Sequence, residues 1–151
     1  MRSTQIQKIL LVGLIFTFES FASDLPKSQH RQDLPVATER MLLAEQNTNC
    51  AATYAFLYNA AVKNNNPANQ EVHLSNVERY VTVSLRLYGD EEKAKVKLDK
   101  AGSTLLSQLQ KLKDKNTALS ILNHRVDGCV QVDAKTIDFV KRSLSNRSKT
   151  Q

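Results

Sequence analysis

Residue types able to carry chemistry are few in this chain, and they are scattered. The three histidines stand apart: His30 in a polar N-terminal stretch, His73 beside an Asn-Pro loop, and His124 within Asn123-His124-Arg125-Val126-Asp127. A catalytic histidine needs an orienting carboxylate and a nucleophile within reach. Only Asp127 is near His124 in sequence, so His124 followed by Arg125 reads as a surface pair at the end of a short helix, where positive charge suits the helix dipole. No metal-ligand spacing surrounds His30. The adjacent carboxylates Glu91 and Glu92 belong at a helix start, where they stabilise exposed amides. There is no Gly-rich phosphate loop, zinc-spaced Cys/His cluster or Gly-X-Ser-X-Gly elbow. The expectation is therefore no catalytic residues, no metal and no cofactor.

The two cysteines, Cys50 and Cys129, carry the clearest chemistry. The chain opens with Arg2 and Lys8, continues with the apolar run Ile9 to Phe18, and offers small residues at Ser20 and Ala22. That order is a secretory signal peptide cut after Ala22. The run falls short of the roughly 20 residues that span a bilayer, so no membrane span is expected once the signal is removed. Export to the periplasm or beyond places both thiols in an oxidising compartment, where two cysteines pair. Neither has the neighbouring base or Cys-X-X-Cys partner that a redox role requires. A structural Cys50–Cys129 disulfide follows, joining the first and last helices.

The elements that must hold these residues are helical. Leu43, Cys50, Tyr54, Leu57 and Ala61 fall on one face at about 100° per residue. Cys50 thus points inward within an Ala- and Tyr-rich helix opening at Pro35 or Thr38 and ending near Lys63. Asn47 to Asn49, three poor helix formers in succession, are its weak point, where a bend could form. Asn64-Asn65-Asn66-Pro67 stops it. Tyr80 to Tyr88 alternates like a strand, yet Leu74, Val77, Val81, Leu85 and Tyr88 also make a helical stripe. Ser75-Asn76-Val77-Glu78 reads as a capping box and Gly89 as a left-handed C-terminal residue, so the segment is assigned as helix.

Asp90-Glu91-Glu92 starts a third helix with Ala94, Leu98, Ala101, Leu105, Leu109 and Leu112 inward and Lys111, Lys113 and Lys115 in its last turn. Gly102 beside that stripe is expected to allow close helix approach. A short fourth helix capped at Asn116 or Thr117 buries Leu119, Leu122 and Val126 and ends near Asp127-Gly128. The last buries Cys129, Val130, Ala134, Ile137, Val140 and Leu144. The fold class is thus all-α: a compact bundle of about five helices over 35–145, after a signal peptide (1–22) and a flexible leader (23–34), with a disordered tail (146–151).

Losing the signal removes Arg2, Lys8 and Glu19, which takes the net charge from +6 to +5 on the remaining 129 residues. One domain with one core fits this length. A basic balance favours anionic partners, and Lys93, Lys97, Lys100, Lys111 and Lys115 project to one stripe suited to an acidic protein. Without aromatics among those lysines, single-stranded nucleic acid is a poor match.

Cys50-Ala51-Ala52-Thr53-Tyr54, together with Cys129 ahead of Asp138-Phe139-Val140-Lys141-Arg142, resembles the small periplasmic immunity proteins that neutralise cell-wall amidase effectors of type VI secretion. The likeness covers about 30 residues at the two ends of the domain. It implies an all-helical, non-enzymatic protein that binds another protein. A small envelope chaperone of the acid-stress type is the alternative class, and a hydrolase assembled from distant residues is the third.

Overall fold

The computed structural model describes residues 34–112 and 114–147, and within them the chain is four α-helices with no strand. They are α1 (Leu34–Lys63), α2 (Pro67–Tyr88), α3 (Glu91–Gln110) and α4 (Lys115–Arg147). The signal peptide, all but the last residue of the leader, and His30 lie outside the described residues, as do Lys113 and the end of the tail. Leu34 is already helical, and α4 carries the helix through Asn146 and Arg147 into the stretch expected to be tail.

α1 is the central rod. α2 and α4 run antiparallel to it, and α3 folds back from α2 through Gly89 and Asp90. Cross-links fix these directions. Glu39 pairs with Arg142, Asn47 with Thr136 and Cys50 with Cys129, so the start of α1 meets the end of α4. Thr48 meets Ser84, and Tyr54 stacks on Tyr80 further along. The core forms two clusters along α1. One gathers Tyr54, Val77, Tyr80, Val81 and Val132 around the two cysteines; the other joins Leu43, Ala44, Leu87, Tyr88, Ala94 and Phe139. The inward face expected of α1 is there: Leu43, Cys50, Tyr54 and Ala61 are buried, and Leu57 packs at the edge.

Several expectations about the elements' ends and faces are corrected, but α1 runs as one helix through Asn47–Asn49, as expected, and its polar side chains there bond within the bundle. The Asn47 amide donates to the Leu43 carbonyl at 2.8 Å and to Thr136 Oγ1 at 3.0 Å, and the Thr48 hydroxyl donates to the Ala44 carbonyl at 2.8 Å. A buried polar residue so satisfied costs little.

α2 begins at Pro67, not at a Ser75 capping box. Asn66 is its N-cap, accepting from the Asn69 amide at 3.1 Å, and proline occupies the first turn, where its missing N–H is not needed. Its far end is as expected: Gly89 takes φ +66° and its N–H bonds to the Leu85 carbonyl, a left-handed conformation that glycine adopts without penalty.

α3 stops at Gln110. Asp114 accepts from the amides of Asn116 and Thr117 at 3.2 and 2.9 Å and so caps the next helix. Those bonds hold its carboxyl below the usual range, and Lys115 consequently opens α4 instead of ending α3.

The expected fourth and fifth helices are one. α4 runs straight through Asp127-Gly128, which keeps Leu122, Cys129, Val132, Thr136 and Phe139 together on the buried side. Its inward face is therefore rotated from expectation. Val130, Ile137, Val140 and Leu144, assigned to the interior, are exposed, and so is Leu119. Nor does Gly102 mark close approach: a Cβ built there meets nothing within 4 Å.

Candidate protein-binding surface

Two local arrangements bear on function, one inside the bundle and one on α3. Around the Cys50–Cys129 bridge, whose Cα atoms lie 5.7 Å apart, sits an aromatic and polar cluster. Tyr54 and Tyr80 stack with centroids 5.6 Å apart, and the Tyr80 hydroxyl donates to the Cys129 carbonyl at 3.2 Å. The Arg79 guanidinium lies 4.6 Å from the Tyr80 ring centroid and pairs with Asp133 at 2.8 Å. His73 rests against Tyr54 with centroids 6.0 Å apart, and its Nδ1 is buried without a partner.

Burial sets the acid–base character of this cluster. It pushes the Tyr54 and Tyr80 hydroxyls above the ordinary tyrosine range, with the Asp133 carboxylate adding to the effect at Tyr80, and it holds His73 below the ordinary histidine value. Both phenols are therefore neutral packing groups, and Tyr80 also acts as a hydrogen-bond donor. A neutral His73 beside a phenol that does not ionise has no activated nucleophile to serve. His124 lies exposed in the first third of α4 and not at a helix end. Among the described residues, no group of three or more His, Cys, Asp or Glu is arranged to hold a metal ion.

The lysines divide between elements. Lys93, Lys97 and Lys100 lie along one flank of α3, about a quarter turn from buried Ala94 and Leu105, with Lys97 half-buried, and Lys111 follows as that helix's C-cap residue. Lys115 belongs to α4, so the stripe projected from sequence is four lysines long and not five.

Local chemistry fixes how two of them are held. The Lys97 ammonium reaches Glu45 on α1 at 3.1 Å, and that hydrogen bond raises its pKa. Lys93 stands 5.9 Å from the Tyr88 ring centroid. Lys95, on the opposite flank of α3 from the stripe, is tied to Glu91 and Glu92. Val96 is exposed, with Lys93 and Lys100 one turn to either side of it along α3.

No family model, curated protein or solved structure matches this chain. Among the described helices none is long and apolar enough to cross a membrane.

Proposed function

We propose that this is an exported, non-enzymatic protein-binding protein, an immunity or inhibitor factor that occupies an envelope-acting effector. The observation that carries the reading is the exposed side of α3, where Lys93 and Lys100, one turn to either side, flank exposed Val96 on a helix braced against α1 by the Lys97–Glu45 pair. A rigid helix presenting such a face loses little conformational entropy on docking. The disulfide and the packed Tyr54–Tyr80 cluster keep that scaffold stiff in the periplasm.

The test is recovery of a stoichiometric partner from the envelope fraction with the tagged mature chain, compared with a Lys93→Glu, Lys97→Glu, Lys100→Glu variant. Capture that weakens with salt and is lost in the variant supports the reading. Repeated failure to recover any partner, or capture indifferent to the three lysines, overturns it.

His73 supports a second reading, an acid-triggered chaperone, because charging a ring whose Nδ1 is buried and unpartnered would loosen the contact of α2 with α1. Suppression of client aggregation that begins only on acidification, and that disappears in His73→Phe, would favour this class over the first.

A further inference from the structure

Among the described residues, α4 carries a second exposed apolar surface. Leu119 is 56 % exposed, Val130 65 %, Ile137 55 %, Val140 43 % and Leu144 60 %. At 100° per residue, Leu119, Val130, Ile137 and Leu144 fall within about 40° of one another, with Val140 about 40° beyond Leu144. Together they make a seam about 38 Å long at 1.5 Å per residue. Their spacing is that of a coiled coil: Val130, Ile137 and Leu144 repeat every seven residues, and Leu119, half-buried Val126 and Val140 fill the alternate core positions. Asp133 interrupts the seam and is turned aside to Arg79.

We propose that this seam pairs with the same seam of a second copy of the chain, in an antiparallel, two-fold arrangement centred near Ala134. Three features select that occupant. One flank of the seam carries Leu122, Cys129 and Thr136, all buried in the chain's own bundle, so only the other flank, with Asp127, Ala134 and Lys141, is open to a neighbour. A parallel pairing would set the open flank of one helix against the covered flank of the other. An antiparallel pairing sets open flank against open flank.

In that orientation the charges complement themselves. Asp127 of each copy faces Lys141 of the other, twice by symmetry, while Ala134 near the axis lets the helices approach. Val130 then meets Val140 of the second copy, and Val126 meets its Leu144. The chain's own leader is no substitute, because Ser23 to Asp33 holds a single large apolar residue, Leu25. The pairing leaves the α3 lysines free, so a dimer would display two basic faces.

Sedimentation equilibrium of the oxidised mature chain over a micromolar concentration series tests this. The expected result is a monomer–dimer equilibrium. Ile137→Glu should abolish it while leaving the helical circular dichroism and the dilute-solution melt unchanged. Lys141→Asp should raise the dimer dissociation constant about tenfold through two new like-charge contacts, and adding Asp127→Lys should restore it. A monomer at every concentration overturns the proposal, as does a dimer that survives Ile137→Glu or a charge swap that fails to rescue. A monomer that still captures an effector through the α3 lysines would sink this inference and spare the proposed function; a dimer with no effector would do the reverse.

Discussion

α1 and α4 are of similar length, 30 and 33 residues, and they are joined by the disulfide, yet they treat their side chains in opposite ways. α1 is packed by the other three helices and buries polar groups together with apolar ones. Asn47, Thr48 and Thr53 are as inaccessible as Leu43, each with a hydrogen-bond acceptor inside the bundle. α4 touches the bundle along one side and leaves much of its apolar arc in solvent. Burial is decided by how many neighbours an element has, and a side chain's own polarity settles only what burial costs. A central helix must satisfy its polar groups internally, whereas a peripheral one can carry apolar residues for a partner.

The largest break in this comparison is the bond between the two helices. Replacing Cys50 and Cys129 with serine frees a chain segment spanning 79 positions, and chain entropy alone predicts a loss of about 4.5 kcal/mol. Urea unfolding of the double variant against the oxidised parent measures it. Next comes the contrast between faces. Asn47→Ala removes two hydrogen bonds and leaves the buried Thr136 hydroxyl without its donor, costing about 1–3 kcal/mol. By the same measurement on dilute protein, Ile137→Ser on α4 should change stability by less than about 0.5 kcal/mol. If the two substitutions cost the same, the distinction between the helices fails.

Gly128→Ala sharpens the account of α4 as one rod. Gly128 sits inside the helix with open space around its Cβ position, so alanine should stabilise by about 0.5–1 kcal/mol. A hinge at Gly128 would instead make the substitution destabilising.

The smallest effect is pH-dependent and belongs to α2 where it meets α1. Because burial holds His73 below the ordinary 6.5, the unfolded chain takes up a proton there before the folded one does. Stability is therefore full above 6.5 and declines as pH falls through the lower, folded value. Melts on either side of that pH, with and without His73→Phe, isolate the contribution, which the variant should lack.

Much of the fold was legible from residue patterns. The face Leu43–Cys50–Tyr54–Ala61, the Gly89 terminus, the Asp90 cap and the inward Ala94–Leu105 stripe each rest on contacts within a few residues, which local sequence encodes. The missed boundaries were nearly as local. Asn66-Pro67 reads equally as a stop for one helix and as a cap and first turn for the next, and Asp114 can cap only if the chain turns there. The joined α4 was the harder case, since Asp127-Gly128 is a typical helix end and only the common burial of Leu122, Cys129 and Val132 on one side keeps the helix going.

By itself the sequence determined that the described chain is helical, that Cys50 and Cys129 face one another across the first and last helices, and that lysines line one flank of α3. Periodicity, capping chemistry and the pairing of two thiols are properties of short segments, and they survive wherever the segments are placed. Only the tertiary structure decided which side of α4 is inside. Its apolar residues span a wider arc than one neighbour can cover, and a helical repeat alone cannot tell the half that meets α1 from the half left for another surface.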